Sequence, residues 1–180
     1  MKDFSRRSFI KIAGGAAAVS AVGFPAFINA AGSKKVVVVG GGVGGATCAK
    51  YIRMADSSID VTLVEPNTSY HTCFMSNEVL SGDRTMESIR VGYDGLRGHG
   101  ITVIHDMVTK IEDGKVMTAG GQTLAFDRCV VAPGISFKDN IEGYDAAAQE
   151  AMPHAWKAGP QTVNLREKLV AMEDGGTVMI

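Results

Sequence analysis

The chain has 180 residues, 46% of them hydrophobic and 21% charged, an ordinary globular balance long enough for one domain with a real core and a little more. Its formal charge of −1 excludes a broad nucleic-acid surface. Residues 1–30 hold Lys2, Arg6, Arg7 and Lys11 against Asp3; without them 14 of the 18 basic and 18 of the 19 acidic residues remain, a net of −4. A mildly acidic body disfavours anionic partners and tolerates a basic one.

Ser5-Arg6-Arg7-Ser8-Phe9-Ile10-Lys11 precedes an apolar stretch rich in Ala and Gly, from Ile12 to about Ile28, with small residues at Ala30 and Ala31. A charged head, a modest apolar core and a small-residue exit describe an export signal. The paired arginines followed by Phe and Lys are of the twin-arginine type. The stretch falls short of the roughly twenty residues that cross a bilayer, which argues against an uncleaved anchor. Residues 1–30 are therefore expected to be removed after Ala30, leaving a periplasmic chain with no membrane span.

Lys34 to Glu65 carries the organising pattern. Val36 to Val39 is an unbroken β-branched run, suited to a strand buried on both faces of a parallel sheet. Gly40, Gly42 and Gly45 supply a G-x-G-x-x-G turn, with Gly44 as an additional turn glycine. The first glycine permits a tight turn, the second a close backbone approach to a pyrophosphate, and the third close packing of helix on strand. Ala46 to Ala55 reads as that helix, its N-terminal amides facing the phosphates. Ile59 to Val64 reads as the second strand. Glu65 then lies about twenty residues past the glycines, where a carboxylate can accept the ribose hydroxyls of an adenosine. Strand, glycines, helix, strand and acid in this order predict a dinucleotide site.

Asn67 to Ser88 reads as an irregular excursion with a short helix at Asn77 to Leu80; a loop of that length in a compact domain is usually functional. Ile89 to Gly98 is expected to be a helix ending at a glycine. Ile101 to His105 reads as the third parallel strand. Val108–Ile111, Lys115–Thr118 and Gln122–Leu124 form an antiparallel meander, joined by Asp113-Gly114 and Gly120-Gly121 turns. Phe126 to Ala132 returns to the main sheet and stops at Pro133-Gly134. Pro153 to Met172 reads as largely helical, with Leu165, Leu169 and Met172 at helical spacing. Gly175 to Ile180 reads as the opening strand of a second nucleotide-binding-like unit. The expected organisation is an export signal at 1–30, a Rossmann-like α/β domain at 31–150, and a connecting helix with the truncated start of a second domain at 151–180.

Cys48, Cys73 and Cys129 show no C-x-x-C spacing and no zinc pattern with His, so no metal site is expected. Cys48 on the first helix and Cys129 in a strand read as inert packing thiols. His71 could lower the pKa of nearby Cys73 or be a solvated loop residue. His99 and His105 read as surface or strand-end residues. Trp156 is placed either near the nucleotide or as a cap on the core.

The glycine unit, the meander, the strand closing on Ala132-Pro133-Gly134 and the late G-G-x-V-x-I resemble the two-dinucleotide-binding flavoproteins. Longer blocks narrow this: P-N-T-S-Y-H-T-C-F-M-S-N-E (Pro66 to Glu78), Gly82 to Arg84, Y-D-G-L-R (Tyr93 to Arg97), D-R-C-V-V-A-P-G (Asp127 to Gly134) and P-H-A-W-K-A-G-P-Q-T (Pro153 to Thr162). They resemble the flavoprotein subunit of flavocytochrome c sulfide dehydrogenase, across essentially all of the chain after residue 30. The resemblance implies oxidation of sulfide to sulfur or polysulfide, with electrons passing through FAD to a c-type cytochrome subunit. It implies FAD contacts at Gly40, Gly42, Gly44, Gly45, Glu65 and Pro66, with further contacts at Asn77, Val108, Ala132 and Gly134. Cys73 matches the cysteine that holds FAD through a thioether to the flavin 8-methyl carbon.

The redox cysteine pair of that family matches nothing in these 180 residues, so the chain is expected to be an N-terminal part with no catalytic residue of its own. Two other readings stay open: a sulfide:quinone or other pyridine-nucleotide-disulfide-type flavin oxidoreductase, and a non-catalytic FAD-binding module.

Overall fold

The computed structural model describes residues 33–138 and 140–178; the expected export signal lies outside them. Strand β1 (Lys35–Val39) is the valine run. Val36 and Val38 face one apolar cluster with Ala46, Ala49, Val61, Leu63, Tyr93, Leu96 and Ile101. Val37 faces another with Val64 and Val116, flanked by Val39, Val108, Leu124, Phe126 and Cys129. Burial on both faces is why this strand carries no polar alternation. Helix α1 (Val43–Ala55) starts three residues before its expected position and buries its small residues Gly45, Ala46 and Ala49. Arg53 in its last turn donates to the carbonyls of Ser57, Ile59 and His99, placing a cation where the helix dipole favours one.

After β2 (Asp60–Val64) the supposed irregular excursion has a frame. Strand β3 (Ser69–His71) pairs antiparallel with β4 (Arg90–Gly92), Tyr70 opposite Val91. Between them lie a 3₁₀ turn at Cys73–Met75, helix α2 (Ser76–Ser81) and a second 3₁₀ turn at Glu87–Ile89. The helix expected over Ile89 to Gly98 is thus corrected: residues 90–92 are strand, and only α3 (Asp94–Gly98) is α-helical. The cause is a non-local partner, since residues 90–92 bond to residues 69–71.

Strand β5 (Thr102–Ile104) follows, then the meander β6 (Val108–Glu112), β7 (Lys115–Thr118) and β8 (Thr123–Ala125), and β9 (Arg128–Val131). At the first meander turn Glu112 pairs with Lys115, and Asp113 and Gly114 both take positive φ, 47° and 72°, as a two-residue hairpin of matching twist requires. Helix α4 (Ala146–Ala151) was not foreseen; Asp145 caps it through Oδ1 to the Ala148 N–H at 2.9 Å. The helix expected over Pro153 to Met172 is only α5 (Pro160–Val170). Trp156, 79% exposed, caps no core. Residues 174–175 form a turn and 176–178 are not strand; the last two residues of the expected second-domain strand lie outside the described residues. Among the described residues no helix is long and apolar enough to cross a membrane.

The main sheet has the order β5-β2-β1-β9, all parallel. The chain leaves β1 toward β2 and β5 on one side, and returns as β9 on the other. The carboxyl end of β1 is therefore the point where connections diverge, and in open parallel sheets that is where a crevice forms.

Candidate functional site

The glycine turn sits at that divergence. Gly40 takes φ 96°, and a Cβ there would fall 2.1 Å from the Ala132 carbonyl oxygen. A Cβ on Gly45 would fall 1.8 Å from the Gly40 oxygen and 3.4 Å from Ala132 Cβ. The ends of β1, α1 and β9 therefore meet at backbone distance, and the Ala132 N–H completes the join by donating to the Val39 carbonyl at 2.8 Å. Gly42 differs. Its backbone (φ −64°, ψ −172°) suits any L-residue, and a Cβ would meet nothing within 4 Å. The fold does not require glycine there, and the open space lies at the N-terminus of a 13-residue helix with no side-chain cap. Backbone amides and the helix dipole make such a place receptive to phosphate.

Glu65, at the end of β2, is 8% exposed. Its Oε2 accepts the Gly41 N–H at 2.8 Å, and Oε1 accepts the Asn67 N–H and Nδ2–H at 2.9 and 2.6 Å. A carboxylate offers about four acceptor sites. Among the described residues Oε2 has one donor, so it keeps capacity for a further hydroxyl. The residues present thus fit a dinucleotide: open space for a pyrophosphate at Gly42 and a buried acceptor beyond it.

Two residues that the spacing argument passed over complete this corner. Gly41 is the unspecified position of G-x-G, yet a Cβ there would fall 2.7 Å from Tyr93 Oη and 2.8 Å from Glu65 Cβ and Cγ. Tyr93, 1% exposed, donates its hydroxyl to the Gly41 carbonyl at 3.0 Å. Burial, then the Glu65 charge and Tyr70, push its pKa far above the ordinary tyrosine value, so it stays a donor. His105, expected to be an ordinary strand-end residue, has Nε2 3.0 Å from Arg97 Nη2 and Nδ1 3.1 Å from the Glu65 carbonyl. A guanidinium only donates, so Nε2 accepts and the Nδ1–H holds the Glu65 backbone. A tyrosine ahead of a short helix carried no spacing signal that could have marked it.

The other expected contacts are more dispersed. Val108 packs beside Val37, Val64 and Val116. Gly134 is exposed with φ 79°, and Pro66 is also exposed. Gly44 is exposed on the first turn of α1. Asn77 is exposed on α2, next to buried Ser76. Cys73, expected off the regular elements, opens a 3₁₀ turn and is exposed; its carbonyl accepts the Ser76 hydroxyl at 2.7 Å. Buried Thr72 anchors it through its N–H and hydroxyl to the Ile89 carbonyl at 3.0 and 3.3 Å. Cys48 and Cys129 are half-buried, and burial raises the Cys129 pKa, the state of a packing thiol. Among the described residues no cluster of His, Cys, Asp and Glu could hold a metal. A cavity of about 300 Å³ between Thr47, Lys50, Tyr70 and His99 includes none of the expected contacts.

The family model for pyridine nucleotide-disulphide oxidoreductases matches residues 34–170. The chain belongs to that family. The match bears out the Rossmann-like FAD-binding fold. A twin-arginine translocation signal matches residues 3–23, as the paired arginines led us to expect for an exported protein. The flavoprotein chain of sulfide dehydrogenase [flavocytochrome c] from Chlorobaculum thiosulfatiphilum is 65% identical over 48 residues, 27% of this family member and all of that sequence. Apoptosis-inducing factor homolog A of Dictyostelium discoideum is 31% identical over 101 residues, 56% of this chain and 24% of the relative. Among solved structures, the sulfide:quinone oxidoreductase of Aquifex aeolicus superposes with a TM-score of 0.66 at 26% identity, over 76% of this chain and 32% of its own. This member therefore spans about a quarter to a third of the longer proteins that it matches.

Proposed function

We propose that this chain is the FAD-carrying part of a periplasmic sulfide dehydrogenase that oxidises sulfide to sulfur or polysulfide and passes the electrons to a c-type cytochrome subunit. The observation that carries this reading is the 65% identity to a flavocytochrome c flavoprotein chain. FAD supplies a relay between a two-electron donor and a one-electron acceptor. The chain's own residues hold it: the space at Gly42 takes the pyrophosphate, Glu65 Oε2 the adenosine ribose, and the Ala132 to Gly134 turn faces the flavin half. Gly40, Gly44, Gly45, Pro66, Asn77 and Val108 are proposed to shape or line the same path.

Cys73 is proposed to fix the cofactor. Its Sγ would hold FAD through a thioether to the flavin 8-methyl carbon, an overall loss of two protons and two electrons for which the cytochrome would be the acceptor. A thiolate is the reactive form, and Cys73 is the one exposed thiol of the three. The reach is sufficient, since eight residue steps from Glu65 span up to about 26–29 Å when extended. Sulfur chemistry itself is assigned to a redox cysteine pair that none of these residues matches.

The test is acid precipitation of the exported protein, followed by peptide mapping and assay of sulfide-dependent reduction. Flavin should stay on the peptide containing Thr72-Cys73-Phe74, and Cys73→Ser should release it. Flavin lost from the wild type in acid, or found on Cys48 or Cys129, overturns the attachment. The likeness to a sulfide:quinone oxidoreductase supports a second reading with quinone as acceptor. Sulfide-dependent reduction of quinone but not of cytochrome c would select it.

A further inference from the structure

We propose that Tyr93 is a positioning residue that aims the Gly42 amide at the cofactor pyrophosphate; this deepens the dinucleotide reading above and rests on it. The Gly41 carbonyl and the Gly42 N–H belong to one peptide unit, and in a planar trans peptide they point in opposite directions. The backbone contains no cis peptide bond among the described residues. Tyr93 Oη binds that carbonyl at 3.0 Å, so the amide on the other side is turned away from Tyr93; a Cβ at residue 42 would itself meet nothing within 4 Å.

The neighbouring peptide unit is held as well. The Gly41 N–H goes to Glu65 Oε2 at 2.8 Å, so both dihedrals at Gly41 are fixed by side chains from outside the turn. Only hydrogen fits between them, because a Cβ would come within 2.7 Å of Tyr93 Oη and 2.8 Å of Glu65. The tyrosine is itself held. It is 1% exposed, directly precedes α3, and lies between Tyr70 and His105 at ring centroid distances of 6.1 and 5.7 Å. His105 in turn holds the Glu65 carbonyl. A residue 52 positions along the chain thereby sets a backbone angle in the glycine turn.

The proposal is tested in the full chain carrying Cys73→Ser, which makes FAD affinity measurable by titration of flavin fluorescence. Tyr93→Phe should weaken FAD binding roughly tenfold, the order expected when one hydrogen bond to a charged group is misaligned. If Tyr93 acts through the Gly42 amide, the same substitution in a Gly42→Ala background should change affinity by less than about twofold, because coupled sites are not additive. A full loss in both backgrounds, or no loss in either, overturns the role of Tyr93 while leaving the dinucleotide site standing. Absence of FAD binding by the parent protein overturns both. Where Tyr93→Phe does not fold, a matched pair decides: Tyr93→4-aminophenylalanine keeps a donor and should retain affinity, and Tyr93→4-methylphenylalanine fills the same volume without one and should lose it. Equal affinity of the pair overturns the proposal.

Discussion

Gly42→Ala separates the glycine that the fold needs from the glycine that a ligand would need. In the protein alone the added methyl has open space, and the backbone at 42 is in a region that alanine adopts freely. Two small terms remain. Restricting the unfolded chain stabilises by about 0.4–1 kcal/mol, and alanine is the poorer N-cap by about 0.5–1 kcal/mol. They nearly cancel, so the melting temperature of the unliganded protein should move by no more than about 1–2 °C. On the proposed dinucleotide reading, the methyl would stand where the pyrophosphate meets backbone amides when FAD binds. Loss of one charge-assisted hydrogen bond costs about 1.5–3 kcal/mol, so affinity should fall about 10- to 150-fold. Gly45→Ala is the counterpart: its Cβ would lie 1.8 Å from the Gly40 oxygen, an overpacking against backbone that should cost about 3 kcal/mol or more before any ligand is added. Circular dichroism melts without FAD and fluorescence titrations with it, both in a Cys73→Ser background, read the two effects. Undiminished FAD affinity of Gly42→Ala would refute the reasoning, because the space at 42 would then not be the phosphate's.

Glu65→Gln should weaken FAD binding by about 1–3 kcal/mol, the range for hydrogen bonds to a charged group; unchanged affinity would remove Glu65 from the ribose. Arg6→Lys together with Arg7→Lys keeps the charge and should strand the precursor in the cytoplasm, as fractionation and blotting would show; normal export would exclude the twin-arginine route. The Asp106 carboxyl is held below the ordinary carboxylate value, chiefly by the Thr118 side chain and also by the N–H groups of Met107 and Gly120. A lowered folded pKa gives stability that is complete above the unfolded value of about 3.9 and disappears as pH falls through the folded one. Asp106→Asn should therefore flatten the acid limb of the stability curve, and an unchanged limb in urea melts below pH 4 would contradict that role.

What could be read from the chain in advance was whatever depends on near neighbours. Val36 to Val39, the glycine spacing and Glu65 specify β1, α1 and β2 locally, and the meander announces itself at Asp113-Gly114. Elements decided by distant partners were hidden. Residues 90–92 look like the start of a helix until Ser69–His71 arrives as a strand partner. Tyr93 and Gly41 stand 52 positions apart, and no period or spacing links them. The start of α5 was legible and overlooked: Pro160 follows Gly159, and proline favours the first helical position. The strand expected over Gly175 to Ile180 rested on a glycine pair followed by an apolar run, and residues 176–178 lack it.

The β3–β4 ribbon has one more consequence. With Thr72 bonded to Ile89, residues 73–88 form a loop whose two ends are already joined. Ser69 to Thr72 belong to that frame, whereas residues 83–85 are exposed and lie beyond α2. Closing a longer loop on a fixed base costs only about 0.6 kcal/mol for each doubling of its length. An epitope or a spectroscopic label spliced between Arg84 and Thr85 should therefore leave Cys73 in place, which makes this the natural port for a reporter on the Cys73 loop.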